Sequence, residues 1–383
     1  MQTSQQLQRW LQLTLAYRFD AAQLKTLRQL APTLEAACAL TPTEYGEAGL
    51  SPTAWPMFAA WQQGRVETAT AHLVEQSLAW STRSGQRLIM LGDEDYPPLL
   101  AACRDAPPQL FVRGEVSALS LPQIAIVGSR KPTADGRRHA REFAAALVAC
   151  GYQITSGLAL GIDAESHLGA LDSNGCTIAV LGTGLDNIYP KTNAALAERI
   201  VRQGALVSEF PPLAKAEHWH FPERNRIISG LAHGVLVVEA AEQSGSLITA
   251  RLAAEQGREV FAIPGSINNP LSRGCHRLIR QGVKLVESAA EIIEELPALV
   301  AWEQQQLQPA VTATPVSKAG LKPEEKSVLR HIGYDPVSLD SLQLHSELPI
   351  AELLPLLTVL ELRGLIEQQA QGYARTAQSS RVL

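Results

Sequence analysis

Short apolar runs alternate with stretches of helical periodicity through the middle of the chain, from Leu121 to Glu295. The runs are bounded by polar residues, glycine or proline, as buried strands are. They lie at 124–127, 153–155, 177–181, 205–208, 235–239, 260–263 and 283–286, and helices are expected between them, for example at 136–149, 194–203 and 247–255. This order predicts an α/β fold with a Rossmann-like, doubly wound and mostly parallel sheet.

The N-terminal flank has a different pattern. Leucines recur at steps of three or four residues, and Pro32, Pro42 and Pro52 are expected to interrupt the helices. A helical domain is therefore predicted over 1–80. Two apolar runs at 88–91 and 110–112 have strand character and are expected to extend the sheet, so the α/β domain is predicted over 81–300.

The C-terminal flank begins with a stretch rich in Gln, Pro, Ala and Thr, and we interpret residues 301–320 as a linker. The pattern over 321–383 then predicts three helices (325–331, 339–344 and 350–363) and a hairpin formed by 365–368 and 373–376. This order is typical of a winged-helix domain.

Composition limits the kinds of function that fit. The chain has 383 residues, of which 46% are hydrophobic and 19% are charged, so a folded protein with more than one domain is expected. The net charge is −5 and no predicted domain is basic as a whole, which argues against a protein that holds nucleic acid by overall positive charge. Any nucleic-acid site must depend on a few local cations.

The five cysteines are far apart and form no C-x-x-C pair, so neither disulfides nor a metal site is expected, and we interpret them as buried hydrophobic residues. The first residues lack the basic and apolar regions of a signal peptide, and no apolar run approaches the roughly 18 residues of a membrane span. We therefore expect a cytoplasmic protein with no membrane partner.

Small residues follow four of the predicted strands. The segments are Gly128-Ser129-Arg130, Ser156 to Gly161, Gly182-Thr183-Gly184 and Ser244 to Thr249. Ligands of open α/β sheets bind beyond the carboxyl ends of the strands, and small residues there let an anion approach backbone N–H groups and helix N-termini. The segments predict a phosphate-binding surface; the alternative is that the glycines only form tight turns.

Four cations stand in the same regions: Arg130, Lys191, Arg224 and Arg226. We expect them in loops or at helix starts, where guanidinium and ammonium groups can pair with phosphate oxygens. The alternative is that they form salt bridges with Asp186, Glu209 or Glu223.

Trp219 and Phe221 stand beside the arginine pair. Aromatic rings interleaved with cations are a common way to hold unstacked bases without reading sequence, so this run favours single-stranded DNA as the ligand. The alternative is that the two rings fix a long loop onto the domain.

Enzymatic functions fit less well. The dinucleotide fingerprint G-x-G-x-x-G is missing after the first strand, where the chain reads Gly128-Ser129-Arg130-Lys131. The acidic residues near the strand ends show no spacing typical of a catalytic cluster. The histidines of the run His218-x-His220 are expected to be exposed to solvent rather than bound to a metal.

A duplex-reading function for the winged helix is also disfavoured. Residues 321–383 have a net charge of −2, and Glu352 and Glu361 precede the single Arg363 in the helix that would enter a major groove. We interpret this domain as an interaction module or a domain that packs against the rest of the chain.

The motifs together resemble the DprA/Smf family, the DNA-processing proteins of bacterial natural transformation. The resemblance rests on blocks in the family's order: Ile124 to Arg130, Ser156 to Ala159 with Gly161-Ile162-Asp163, Gly184-Leu185-Asp186 with Tyr189-Pro190, Phe221 to Ile228, and Ser244 to Ala250. The N-terminal helices resemble that family's sterile-alpha-motif-like domain, and the tail resembles its winged helix.

The resemblance implies a non-enzymatic, homodimeric protein that binds single-stranded DNA, protects it and loads the recombinase RecA, with no cofactor. It also implies the residues of the DNA pocket: Arg130 and Lys191 first, then Phe221, Arg224, Asn225 and Arg226, with Gly128, Ser129, Gly245 and Ser246 as backbone donors. His218 stands where the family pattern favours a cation.

The fold also resembles phosphoribohydrolases that carry a Pro-Gly-Gly-x-Gly-Thr-x-x-Glu loop, which leaves an enzyme acting on nucleoside monophosphates as the alternative. The equivalent stretch here, Glu239 to Ser246, lacks that run and its carboxylate.

Overall fold

We describe a computed structural model of the chain. It describes residues 4–296, apart from 18–20, 32–33 and 48, and then 323–333, 337–346, 348 and parts of 353–375. Contacts divide the chain into two units, 1–305 and 306–383. The narrower limits predicted above, 1–80, 81–300, 301–320 and 321–383, remain predictions, and the predicted linker lies outside the described residues.

The N-terminal part of unit 1 is helical, as predicted. Its helices are α1 (Ser4–Ala16), α2 (Ala21–Leu30), α3 (Leu34–Ala39), α4 (Pro42–Glu47), α5 (Trp55–Gln62) and α6 (Thr68–Ser81). Pro42 and Pro52 begin helical segments instead of interrupting them, because the first position of a helix needs no backbone N–H and favours the fixed φ of proline.

A nine-stranded sheet forms the centre of unit 1. Its strands are β1 (Gln86–Met90), β2 (Gln109–Gly114), β3 (Gln123–Val127), β4 (Gln153–Ser156), β5 (Thr177–Val180), β6 (Ala205–Ser208), β7 (Gly234–Val237), β8 (Glu259–Ala262) and β9 (Lys284–Leu285). Their order is β1-β2-β6-β5-β4-β3-β7-β8-β9. The seven strands from β3 to β9 pair in parallel, and β2 joins β6 antiparallel, which confirms the predicted fold class and the extension of the sheet.

Helices cover both faces of the sheet. They are α7 (Pro98–Ala102), α8 (Ala134–Ala149), α9 (Ile162–Asp172), α10 (Ala194–Gln203), α11 (His220–Leu231), α12 (Ser246–Glu255), α13 (Arg273–Arg280) and α14 (Ala289–Ile293). Alternate residues of β3 face opposite layers: Ile124 and Ile126 pack in the core with α8, while Ala125 and Val127 join the core that contains α11. Both faces of the sheet are therefore buried against helices, as is usual for a parallel sheet.

The strand order reverses at β3, since the chain moves from β3 to β4 on one side and returns to pair β7 on the other. Val127 lies opposite Val237 at the ends of these two strands. Loops after neighbouring strands diverge at such a reversal, so a crevice is expected there.

Unit 2 contains α15 (Pro323–Arg330), α16 (Leu339–Ser346) and an antiparallel hairpin of β10 (Ile366–Gln369) and β11 (Gly372–Arg375). These elements agree with the predicted winged helix. The third predicted helix lies largely outside the described residues. Three of its described residues, Leu353, Leu357 and Leu360, are helical and buried.

Two predictions from composition can be compared with the structure. Among the described residues, every helix falls short of the length and apolarity that crossing a membrane requires. Cys103 and Cys275 are buried as predicted, but the prediction is wrong for Cys150, which is exposed directly after α8.

His167 in α9 is fully buried, and burial lowers its pKa to about 3 from an ordinary value of 6.5. Thr177 Oγ1 donates to the Ile154 carbonyl, so it accepts from His167 Nδ1, which lies 2.7 Å away, and the ring is neutral.

We predict that His167 makes the protein less stable in acid. His167 takes up a proton near pH 6.5 in the unfolded chain but only near pH 3 in the folded chain. The contribution of the neutral ring to folding stability is therefore complete above pH 6.5 and is lost as pH falls toward 3. Between pH 7 and pH 5 the wild type should lose about 1 to 2 kcal/mol more unfolding free energy than His167→Asn, which keeps a donor toward Thr177 but does not titrate. Urea unfolding at the two pH values measures this, and identical losses would contradict it.

Candidate functional site

A cleft of about 660 Å³ opens at the reversal of the strand order. The loops after β3 and β7, the start of α9, one face of α11 and the start of α12 line it. Eight of the ten predicted site residues lie in this lining: Gly128, Ser129, Arg130, Phe221, Arg224, Asn225, Gly245 and Ser246. We call it the switch cleft.

The loop after β3 is held from both sides. Ser129 N donates to the Glu239 carbonyl at 2.7 Å, and Ile162 N donates to the Ser129 carbonyl at 3.1 Å. Gly161 has a φ of +80°, and a Cβ there would lie 2.4 Å from Ser129 O, so only glycine lets α9 begin this close to the loop. The loop is fixed while Arg130 and Lys131 extend from it into solvent.

Glu239 fixes the far end of the same loop. Its buried carboxylate accepts hydrogen bonds from Thr133 N at 2.9 Å and from Thr133 Oγ1 at 2.6 Å. Thr133 in turn caps α8 by accepting from Gly136 N at 3.0 Å. The acidic residue at the end of β7 is therefore engaged in holding the β3 loop.

Arg130, Phe221 and Tyr189 form a cation and aromatic cluster at the cleft wall. Arg130 Cζ lies 5.8 Å from the centroid of the Phe221 ring, within the range of a cation–π contact. The Phe221 and Tyr189 centroids are 5.7 Å apart, and Tyr189 is 50% exposed. These rings offer partly exposed faces beside an exposed positive charge, a surface on which an unstacked base can lie.

The run from His220 onward forms α11, so Arg224 and Arg226, expected in loops or at helix starts, lie within a helix. The helix decides which side chains of the run meet the cleft. Phe221, Arg224, Asn225 and Ile228 all line the cleft, and their spacing of three, four and seven residues puts them on one face of α11. The two predicted arginines are consequently separated, because Arg226 belongs to another face.

Arg224 lies at the base of the cleft and is only 5% exposed. Its Nη1 donates to the Gly157 carbonyl at 2.7 Å and also to the Val180 carbonyl. Burial lowers the pKa of Arg224 to about 10, so it stays charged at neutral pH. The sequence predicted a phosphate contact from a loop or a helix start, whereas the structure gives this guanidinium two backbone partners and a buried position.

Asp163 is the negative partner of this buried charge. A Cβ on Gly157 would lie 2.6 Å from Arg224 Nη2 and 2.7 Å from Asp163 Oδ2, so both groups close over that glycine. Burial raises the pKa of Asp163, while Arg224 and the N–H groups of Gly157 and Ala159, at 3.1 and 3.3 Å, oppose this shift. The Asp163 carboxylate therefore holds the backbone of the loop after β4 in place.

Two predicted cations lie outside the lining. Arg226 forms an ion pair with Glu209, and both side chains are less than one-fifth exposed, so here the salt-bridge alternative holds. Lys191 is exposed at the start of the short helix Lys191–Asn193, two residues beyond Tyr189. A direct phosphate contact is thus less favoured for Arg226, and for Lys191 it remains a prediction.

Trp219 and His220 also differ from expectation. Trp219 packs edge-on against Phe210, with centroids 6.0 Å apart, and is not in the cleft lining, which agrees with the alternative that it fixes the segment to the domain. His220 is buried, stacks on Phe210 and has Nδ1 3.0 Å from the Gly182 carbonyl, so its predicted exposure is wrong. His218 is exposed and lines the cleft.

The start of α12 also lines the cleft. Gly245 has open space beside its Cα, so its backbone can be approached closely. Ser246 N already donates to Ser244 Oγ at 3.3 Å, and the two hydroxyls are 2.7 Å apart. The predictions that Ser129 and Ser246 are backbone donors need correction, since their N–H groups are bonded to Glu239 O and to Ser244 Oγ. The N-terminus of α12 keeps its partial positive charge toward the cleft.

Lys131 and Tyr189 line the cleft but were not predicted as site residues, whereas Ser244 and Thr249 belong to a segment that was predicted to bind phosphate. Lys131 adds a second exposed cation beside Arg130 and could have been found from its adjacency to that residue. Within the described part of the chain, no group of three or more His, Cys, Asp or Glu side chains could hold a metal ion.

The chain resembles known proteins along most of its length. Residues 87–297 match the family described as DNA recombination-mediator protein A, and residues 312–372 match the DprA winged helix domain. Protein Smf of Escherichia coli (strain K12) is 44% identical over 81% of this chain and 82% of that protein. The DNA processing protein DprA of Bacillus subtilis (strain 168) is 46% identical over 57% of this chain and 74% of that protein.

Two solved structures are also similar. The X-ray structure of DNA processing protein A from Streptococcus pneumoniae has a TM-score of 0.57 and 37% identity, and the match covers 73% of this chain and 99% of that one. A structure of the Helicobacter pylori protein, which concerns that protein's single-stranded DNA binding mode, has a TM-score of 0.50 and 29% identity over 55% of this chain and 95% of that one.

Proposed function

The chain belongs to the DprA/Smf family of DNA recombination-mediator proteins, and from this membership we propose that it binds single-stranded DNA in the switch cleft. The observation that carries the proposal is the exposed Arg130 guanidinium beside the partly exposed Phe221 and Tyr189 rings, in a cleft that the N-terminus of α12 also lines. Phosphates need nearby positive charge, and unstacked bases need flat rings. Both needs are met within one cleft.

The geometry favours a single strand over a duplex. A base reaches an aromatic face only when it is unstacked, and the cleft offers such faces at its wall rather than a helix protruding into a groove. The charge of the chain is −5, so duplex would gain little from the overall field.

The proposed role is that of a binding protein, not an enzyme. Asp163, which lines the cleft, and Glu239, which follows β7, accept hydrogen bonds from backbone N–H groups of the surrounding loops. They are thereby engaged in shaping the site. The alternative, a phosphoribohydrolase acting on nucleoside monophosphates, lacks the loop sequence of those enzymes in the stretch 239–246.

Binding should be measured by fluorescence anisotropy with a mixed-sequence oligonucleotide as single strand and as duplex. We expect the single strand to bind at least tenfold more tightly, with affinity that falls as salt rises. Equal affinity for the duplex would refute the proposal, and release of free base from nucleoside monophosphates would favour the enzymatic alternative.

We propose further that the protein acts in natural transformation in the cytoplasm, where as a homodimer it protects incoming DNA and loads RecA onto it. Family membership supports this part of the proposal. Light scattering should give twice the mass of one chain, and the protein should speed RecA filament formation on single-stranded DNA; a monomer, or no effect on RecA, would contradict it.

A further inference from the structure

A second groove, of about 550 Å³, lies between α12 and α13 beside the switch cleft. We call it the α12–α13 groove. It shares four lining residues with the cleft: Gln243, Ser244, Gly245 and Ile248. The two depressions therefore meet at the start of α12, and a chain that leaves the cleft over Gly245 enters the groove.

The floor of this groove is apolar and its rim is cationic. Leu247, Leu278 and Val283 contribute to the floor, and Arg251 and Arg277 stand among the lining residues. Apolar side chains can cover the face of a base, and guanidinium planes can stack on bases or contact phosphates. The lining also contains one acid, Glu242, and Arg251 is paired with Glu255 at 3.5 Å.

α13 extends the positive charge along the rim. Arg273, Arg277 and Arg280 are spaced by four and three residues, so they lie on one face of the helix, and all three are exposed. None of them forms an ion pair with any other residue that the structure describes. The arginines of α8 differ, since Arg137 and Arg138 are both paired with acidic side chains.

This contrast points to a polyanion as the ligand. The chain has more acidic than basic residues, yet three exposed arginines share a helix face without acidic partners. Like charges on one helix face repel one another. A row of phosphates bound along these arginines would relieve that repulsion and release counterions from the DNA.

We propose that the α12–α13 groove is a second subsite for the same DNA strand, with the sugar-phosphate backbone along the arginines of α13 and bases against the apolar floor. This inference rests on the proposed function of the switch cleft. It predicts that the binding site spans more nucleotides than the cleft alone holds.

The test compares oligothymidines of about 5 and about 20 nucleotides, which bracket most single-strand site sizes. Arg273→Ala/Arg277→Ala should weaken binding of the long strand about tenfold and lower its slope of log affinity against log salt by about 1.4, since each lost phosphate contact contributes about 0.7. The short strand, which the cleft holds, should bind within about twofold of the wild type.

The matched control is Arg104→Ala/Arg202→Ala. Both arginines are exposed, form no ion pair within the described residues and lie outside both linings. This variant should bind both strands as the wild type does. The inference is overturned if the α13 variant keeps its affinity for the long strand or loses equal affinity for both lengths. If the wild type binds neither strand, the proposed function has failed as well.

Discussion

Replacing Arg130 with alanine should lower the affinity for single-stranded DNA by about tenfold, which is about 1.4 kcal/mol. Arg130 is the cation that combines exposure, a position in the cleft lining and a contact with the Phe221 ring. Its loss removes a phosphate contact and leaves the ring without its cation. The salt dependence of log affinity should fall by about 0.7 for the single contact removed.

Anisotropy titrations over a range of salt concentrations measure both effects. Arg138→Ala is the control, because Arg138 is exposed on α8, is paired with Asp135 at 2.9 Å and is not in the lining. Lys191→Ala should lower the affinity less than Arg130→Ala does, since Lys191 lies outside the cleft lining. An Arg130→Ala affinity within twofold of the wild type would show that the cleft is not the binding site.

Replacing Arg224 with methionine should reduce the free energy of unfolding by about 3 to 5 kcal/mol. The substitution leaves Asp163 buried without its opposing charge, and it deprives the Gly157 and Val180 carbonyls of a donor. Methionine keeps much of the side-chain volume, so most of the loss is electrostatic.

Equilibrium unfolding in urea measures this loss. Adding Asp163→Asn to Arg224→Met should recover part of the stability, because the uncompensated carboxylate is then gone. Arg138→Met removes only an exposed pair and should cost less than about 1 kcal/mol. A loss below about 1 kcal/mol for Arg224→Met would mean that Arg224 does not hold the base of the cleft.

The sheet could be predicted from sequence because buried parallel strands read as short continuous apolar runs. All seven predicted strands lie within two residues of the observed ones, from β3 at Gln123–Val127 to β9 at Lys284–Leu285. The sequence did not predict the strand order, which depends on contacts between distant segments. The rule that ligands bind where parallel strands end still led to the loops after β3 and β7.

The local errors have physical causes. The run His218 to Arg226 has few apolar positions and contains Pro222, so the sequence did not predict that it forms a helix. For the same reason it did not predict that Arg224 and Arg226 lie on different helix faces. Proline is tolerated in the first turn of a helix, which was the overlooked signal. The burial of Arg224 and the bond from Ser129 N to Glu239 O depend on partners more than forty residues away, which no local pattern contains.

A crystal structure of the full chain with a short oligothymidine tests the central claim most directly. We expect a phosphate within hydrogen-bond distance of the Arg130 guanidinium, a thymine against the Phe221 or Tyr189 ring, and the next phosphate near the start of α12. A strand bound elsewhere, with the switch cleft empty, would contradict this account.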